Sequence, residues 1–183
     1  MVFRNFSRTG GGMAFGSIGQ YADAPDYIHN VSVSDMAVKQ LIHPGYGGAS
    51  VSGGACFKEC VGFSAGVPPQ GGGGGTGEVS NITFTNLRVE VAQAIYINKC
   101  YHKVDIQANY CDTSTLVIEH LSFTNVSGTV QGTTGIALDC SLAAPCHDLS
   151  FFGVDLRASG TDIPAKVVCD NAINVTGVTC QED

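Results

Sequence analysis

A short phrase recurs four times along this chain of 183 residues. Each copy is a run in which apolar and polar residues alternate, and each ends on Asp, Asn or Gly, the residue types that most readily adopt a positive φ. The copies are Asn30–Asp35, Asn81–Asn86, His120–Asn125 and Asp148–Gly153. Alternation at a period of two predicts a half-buried strand in each copy, and the closing residue predicts a sharp bend at the same place.

A second series of short apolar runs is interleaved with the first. Its copies are Ala55–Lys58, Ala94–Ile97, Gly135–Leu138 and Ala165–Val168. The cysteines that close them, Cys60, Cys100, Cys140 and Cys169, are 40, 40 and 29 residues apart. Two strand series at such a period predict a coil that winds repeatedly, with insertions in some turns.

The spacing of apolar residues indicates an all-β chain, because no long stretch has them at helical intervals. We therefore predict a right-handed parallel β-helix formed by a single domain over residues 1–183. A β-sandwich is the alternative, although a sandwich would not need like positions to recur in register.

Eight cysteines indicate an oxidising compartment. Closeness in sequence favours the pairs Cys100–Cys111, Cys140–Cys146 and Cys169–Cys180. Cys56 and Cys60 would lie about 13 Å apart on an extended strand, which is too far for a direct bridge, so they are free or the strand bends there. No Cys/His cluster has the paired spacing of a zinc site, and we predict no metal and no cofactor.

Charge and sequons bear on partners and location. The net charge is −7 and the nine basic residues are scattered, which argues against nucleic acid as a partner. No apolar stretch is long enough to span a membrane. Five Asn-x-Ser/Thr sequons are glycosylation candidates and favour a secreted, extracellular glycoprotein. They begin at Asn5, Asn30, Asn81, Asn125 and Asn174, three of which occupy like positions, so the repeat alone could generate the pattern.

The N-terminal segment gives a contrasting signal. Residues Met1–Gly12 contain no apolar h-region of the kind found in signal peptides. Secreted chemistry without a secretion signal leads us to expect that this chain is the C-terminal part of a longer β-helix.

Several segments resemble a known family. Gly10–Tyr21 resembles the Gly-His-Gly-x-x-x-Gly-Ser segment of the polygalacturonases, the pectin-degrading glycoside hydrolases of family 28. Phe57 and Lys58, followed by Gly66–Gln70 and a glycine run, resemble the Arg-Ile-Lys strand and Gly-rich loop of fungal exo-acting members. Ile95–Tyr101 is similar to the segment that ends in the active-site tyrosine, and Cys140–Cys146 resembles the C-terminal disulfide loop. The likeness is to the exo-polygalacturonase and rhamnosidase-like branch.

The resemblance implies a pectin-lyase-like β-helix that hydrolyses pectic polysaccharides or oligosaccharides with inversion, as a monomer when full length. In this family aspartates act as general acid and base, with a water between them. Those aspartates precede the Gly-His-Gly segment, and none of the eleven aspartates here lies in a matching motif. We therefore assign no catalytic residue in this chain and expect the chain alone to be inactive.

The chain also departs from the family pattern. Gly11 stands where the family has histidine, and Cys56 stands where it has an arginine that would grip a carboxylate with a planar fork. Lys58 is retained and is expected to bind an anionic or hydroxylated sugar, or else is a surface lysine. Tyr101 is expected to contact a sugar ring, or else to be a capping aromatic. These departures favour a substrate other than simple galacturonate, and they leave a non-catalytic pectin-binding β-helix, or a purely structural one, as alternatives.

Overall fold

A computed structural model describes residues 1–21, 24–40, 53–62, 73–101 and 108–181. Within these ranges the chain forms eleven strands and one short 3-10 helix, Ala108–Asp112, and no helix there is long and apolar enough to cross a membrane. The strands are β1 (Val2–Thr9), β2 (Met13–Ile18), β3 (Asp26–Lys39), β4 (Gly53–Glu59), β5 (Gly77–Val91), β6 (Gln93–Asn98), β7 (Val117–Val130), β8 (Thr134–Asp139), β9 (Cys146–Ala158), β10 (Lys166–Asp170) and β11 (Ala172–Thr176).

The strands alternate between two parallel sheets. The odd-numbered strands form a six-stranded sheet in the order β1-β3-β5-β7-β9-β11, and the even-numbered strands form a five-stranded sheet in the order β10-β8-β6-β4-β2. Each pair of consecutive strands is therefore one coil, stacked on the coil before it. This is a right-handed parallel β-helix, as predicted, whereas a β-sandwich would pair its strands antiparallel.

The predicted bends are present. The closing residues of the four phrases all have positive φ: Asp35 (57°), Asn86 (60°), Asn125 (56°) and Gly153 (66°). They lie side by side in the sheet, and their side chains form a ladder in which Asn86 Nδ2 donates to Asp35 Oδ1 (2.7 Å) and Asn125 Nδ2 donates to Asn86 Oδ1 (3.1 Å). Asn and Asp thus provide both the left-handed backbone and the lateral hydrogen bonds.

A second row of bends, not predicted from the sequence, lies at the start of each phrase. The first residue of each phrase also has positive φ: Asn30 (58°), Asn81 (56°), His120 (52°) and Asp148 (58°). All five sequon asparagines have positive φ and are exposed, which supports the interpretation that the repeat selects asparagine at these positions. Glycosylation of the five remains a prediction.

The register between β4 and β6 differs by one residue from the predicted alignment, whereas β6 and β8 pair as predicted. Ala55 pairs with Ile95 rather than with Ala94. The reason is packing: this register keeps Phe57 and Ile97 together in the core, and a slip of one residue would turn them outward.

Aromatic stacks fill the interior. The rings of Phe84, Phe123 and Phe151, on three successive strands, stack with centroid distances of 5.3 Å and 5.2 Å. Phe15 stacks on Phe57 at 4.7 Å in the same way. Parallel, in-register strands bring like residues together, so one inward-facing aromatic per coil becomes a continuous column.

The three expected disulfides are present, with Cα separations of 4.8 Å, 5.7 Å and 5.5 Å for Cys100–Cys111, Cys140–Cys146 and Cys169–Cys180. Cys56 and Cys60 are both buried and free. Of the two alternatives left by the sequence, free cysteines or a bent strand, the structure has free cysteines.

We predict that truncating the middle ring of the aromatic stack destabilises the coil. Phe123→Ala should lower the free energy of unfolding by about 3–5 kcal/mol, because it removes ring contacts on both sides and leaves a cavity. Phe152→Ala is the matched control, since Phe152 is 72% exposed one residue from Phe151. Denaturant unfolding followed by circular dichroism measures both, and equal losses would contradict the predicted role of the stack.

Candidate substrate-binding face

The outward side of the five-stranded sheet carries the predicted binding residues. In β4 the side chains of Ala55 and Phe57 enter the core, so the alternating residues Cys56 and Lys58 face the other way. The register places Tyr96 beside Cys56 and Asn98 beside Lys58. We refer to Cys56, Lys58, Tyr96 and Asn98, together with Tyr101, as the Lys58 face.

Lys58 and Tyr101 are brought together although they are distant in sequence. The Lys58 Nζ lies 4.9 Å from the centroid of the Tyr101 ring, a cation–π contact between two half-buried side chains. The backbone N–H of Tyr101 donates to the Glu59 carbonyl oxygen (3.2 Å), which holds the turn after β6 against the end of β4. A sugar ring can pack on such an aromatic surface while the ammonium binds its carboxylate or hydroxyl oxygens.

Cys56 and Tyr96 form an uncharged pair beside Lys58. Both are buried, with 4% and 6% exposure, and their side chains are hydrogen-bonded to each other. Burial raises the pKa of the Cys56 thiol and the pKa of the Tyr96 phenol, so both remain protonated at neutral pH. Gly53 makes room for the pair, since a Cβ there would lie 2.7 Å from Cys56 Sγ and from a Tyr96 ring carbon. Where the resemblance leads one to expect an arginine, the sheet therefore presents neutral polar atoms.

The glycine segment before β2 contains two glycines with different roles. A Cβ on Gly12 would lie 2.1 Å from the Gly54 carbonyl oxygen, so this position requires glycine. A Cβ on Gly11 would meet no atom within 4 Å. Packing therefore does not demand glycine at Gly11, where the resemblance leads one to expect histidine.

Lys99 forms a separate ionic cluster next to the Lys58 face. Its Nζ lies 2.8 Å from Asp112 Oδ1, 2.5 Å from Asp170 Oδ2 and 3.3 Å from Asp139 Oδ1. Burial opposes the charge on Lys99, but hydrogen bonds to Asp112 and Asp170 and the charge of Asp139 raise its pKa above the usual value. The hydrogen bond from Lys99 lowers the pKa of Asp112, whereas desolvation raises the pKa of Asp139.

The cluster connects the ends of successive coils. Asp139 and Asp170 lie in the same row of the sheet as Lys58 and Asn98, but both are engaged by Lys99. Both carboxylates are therefore part of an ion-pair cluster, and we assign neither as a general acid or base. Lys99 is not among the predicted site residues, because nothing in its local spacing links it to aspartates as distant as Asp170.

Glu59 is a buried carboxyl group with an incomplete set of hydrogen bonds. The residue is 1% exposed, its carboxyl group is hydrogen-bonded to Ser114, and its Oε1 has no hydrogen-bond partner in the part of the chain that the structure describes. Desolvation, the largest effect, raises the pKa of Glu59 to about 8 against the smaller opposing effect of Ser114. The carboxyl group is therefore neutral in mildly acidic solution.

Two sequence predictions, the Gly-rich loop and the absence of a metal, are not tested by the structure. Gly66–Gln70, part of the resemblance to the Gly-rich loop, lies outside the described residues. Within the part of the chain that the structure describes, no three His, Cys, Asp or Glu side chains are arranged to hold a metal ion.

We predict that Glu59→Gln changes how stability depends on pH. The pKa of a Glu in an unfolded chain is about 4.3, whereas the pKa of Glu59 in the folded chain is about 8. The unfolded chain therefore releases the proton first, and the folding stability that Glu59 allows below pH ~4 is lost as pH rises towards 8. The variant should match the parent near pH 4 and melt several degrees higher near pH 8. Thermal unfolding across this range measures the difference, with the exposed Glu90→Gln as control. A melting difference that does not grow with pH would contradict the burial of a neutral carboxyl group.

Comparison with known proteins identifies the family. Residues 65–180 match the model of the glycosyl hydrolases family 28. Three proteins of Aspergillus niger are similar to this chain. One that carries the name galacturan 1,4-alpha-galacturonidase A is 39% identical over 93% of the chain. An alpha-L-rhamnosidase is 33% identical over 96% of the chain, and exopolygalacturonase B is 31% identical over 94% of it. The matched regions are 41%, 39% and 35% of the lengths of these relatives, so the chain spans well under half of each. No solved structure matches the chain. The family match and the parallel β-helix together show that this chain belongs to family 28 of the glycosyl hydrolases.

Proposed function

We propose that the full-length protein is a secreted hydrolase that releases sugars from the ends of pectic chains, galacturonan or rhamnogalacturonan, with inversion at the cleaved bond. The observation that carries the proposal is the Lys58–Tyr101 pair on the outward side of the five-stranded sheet, in a chain of family 28. The names of the relatives, a galacturonidase, a rhamnosidase and an exopolygalacturonase, support an exo-acting pectic enzyme.

The chemistry of the Lys58 face bears on the sugar. Lys58 supplies an ammonium group and Tyr101 an aromatic surface, while the adjacent Cys56 and Tyr96 are neutral. A thiol and a phenol cannot form the two parallel hydrogen bonds by which a guanidinium holds a carboxylate. The proposed substrate therefore places an uncharged sugar, as in rhamnogalacturonan, beside Cys56 and Tyr96, and places any carboxylate near Lys58.

We further propose that the general acid and base are contributed by a part of the full-length protein that this chain does not include. The described aspartates next to the Lys58 face are engaged by Lys99. β1 and β2 each form an outer edge of their sheets, and such edges favour the stacking of further coils. The opposite edges are β11 and β10, and our proposal is that the further coils stack on the β1 and β2 side, which makes this chain the C-terminal part of a longer β-helix.

Secretion is part of the proposal. Three disulfides lie in the segment from Cys100 to Cys180, as is typical of proteins in an oxidising compartment. The five exposed sequon asparagines fit a glycoprotein that acts on the plant cell wall outside the cell.

The first test is hydrolysis by the full-length protein. We expect release of monosaccharide from polygalacturonate or rhamnogalacturonan, with the anomeric configuration inverted when followed by NMR. Lys58→Ala should lower kcat/KM by about 10- to 100-fold, because it removes a charged contact to the sugar. Lys166→Ala, an exposed lysine in β10, is the matched control. No release from any pectic polymer would overturn the proposal.

The second test concerns the 183-residue chain alone. We expect it to release no sugar, since inversion needs two carboxyl groups roughly 6.5–9.5 Å apart and none is assigned here. The same reducing-sugar assay measures this, with the full-length protein as the positive control. Hydrolysis by the isolated chain would place the acid and base within it.

The alternative is a non-catalytic β-helix that binds pectic polysaccharide. Two observations favour it: Gly11 is open and carries no side chain, and Cys56 carries no charge. Tight binding of oligogalacturonides by the full-length protein without turnover would select this alternative.

A further inference from the structure

A groove of about 750 Å³ lies on the six-stranded sheet, away from the Lys58 face. Three consecutive residues from each of four neighbouring strands line it: Ser7–Thr9, Ala37–Lys39, Arg88–Glu90 and Ser127–Thr129. Because β1, β3, β5 and β7 are adjacent, the groove crosses the strands and runs along the axis of the solenoid. At about 4.8 Å per strand it extends roughly 14 Å. We call it the axial groove.

Closely spaced backbones form the floor of the groove. Gly128 has a φ of 130°, and a Cβ there would lie 1.9 Å from the Val89 carbonyl oxygen, so neighbouring backbones approach closely. Val38 and Val89, in the same row, turn their side chains into the core. The floor is therefore mainly backbone, with Arg8 of the outermost strand in the same row because it pairs with Val38, and the rows on either side project outward.

The groove concentrates positive charge on an acidic chain. Arg8, Lys39 and Arg88 contribute one cation from each of three successive strands, and Glu90 is the one carboxylate among the lining residues. Lys39 pairs with Glu90 at 2.6 Å, whereas Arg88 is exposed and has no ion-pair partner among the described residues. The net charge of the whole chain is −7. The sign of the groove is thus opposite to that of the protein.

We propose that the axial groove binds an extended acidic polysaccharide, a polygalacturonate chain, as a second site separate from the Lys58 face. An axial groove fits a linear polymer, and its guanidinium and ammonium groups, one on each of three adjacent strands but in different rows, can pair with carboxylates along that polymer. The hydroxyl groups of Ser7, Thr9, Ser127 and Thr129 are available to the sugar hydroxyls. No aromatic side chain lines the groove, which disfavours single-stranded nucleic acid because its bases need surfaces on which to stack.

The choice of polygalacturonate as ligand rests on the proposed function, whereas the proposal of an anion-binding site rests on the shape and charge of the axial groove. Binding there would hold the polymer against the protein and raise the effective concentration of chain ends near the Lys58 face.

The test compares two double variants of the full-length protein with equal net charge. Lys39→Gln/Arg88→Gln removes two groove cations, and Arg4→Gln/Lys166→Gln removes two exposed cations that do not line the groove. Binding of polygalacturonate is measured by isothermal titration at low salt. The groove variant should lose about tenfold in affinity, since charge-assisted hydrogen bonds are lost, and the control should change less than about twofold. Thermal unfolding verifies that both variants are folded.

Further probes separate the possible ligands. Fully methyl-esterified polygalacturonate, which is uncharged, should bind the parent at least about tenfold more weakly. Equal loss in both double variants, equal binding of the esterified polymer, or equally tight binding of single-stranded DNA would each overturn the proposal. Hydrolysis of a short oligosaccharide, too short to reach the groove, should be unchanged in the groove variant. No hydrolysis of the short oligosaccharide by either protein would contradict the proposed function. Unchanged polymer binding in the groove variant would contradict the groove proposal alone.

Discussion

The parallel stacking of like residues is the constraint on which this structure depends. Each coil contributes one strand to each sheet, and each strand lies in register with its equivalent in the next coil. Inward positions then form columns such as Phe84, Phe123 and Phe151, in which the centroids of neighbouring rings are 5.3 Å and 5.2 Å apart. A side chain of the wrong size would disturb the coils on both sides, because interiors are packed as closely as crystals.

The same register builds the Lys58 face. Since side chains alternate across a strand, fixing Phe57 in the core fixes Cys56 and Lys58 on the outside. Close contacts between backbones hold the neighbouring strand in place: a Cβ on Gly16 would lie 2.5 Å from the Lys58 carbonyl oxygen. The position of Lys58 is therefore a consequence of core packing and glycine contacts, and its partner Tyr101 is placed by the turn that follows β6.

Two buried groups show different solutions to the cost of burying charge. Lys99 remains charged because three carboxylates surround its ammonium group. Glu59 forms no ion pair among the described residues, and desolvation raises its pKa to about 8, so that it loses its charge instead. Both lie at the end of the five-stranded sheet where the Lys58 face ends. The electrostatics there is therefore set by packing between coils and not by neighbours in sequence.

The amino-acid sequence by itself determined the coil. Alternating apolar residues, Asn and Asp at regular bends, and closely spaced cysteines are local patterns, and the β-helix, four of the bends and three disulfides follow from them. The resemblance of Phe57–Lys58 and Ile95–Tyr101 to family segments also marked Lys58 and Tyr101 before any geometry was known. Only the tertiary structure decided the register of the second series, the partners of Lys99, the neutral pairing of Cys56 with Tyr96, and the axial groove. Each of these depends on which residues face each other across different coils. Core packing sets that arrangement between residues about 30 to 70 positions apart in sequence, and a local sequence pattern cannot predict it.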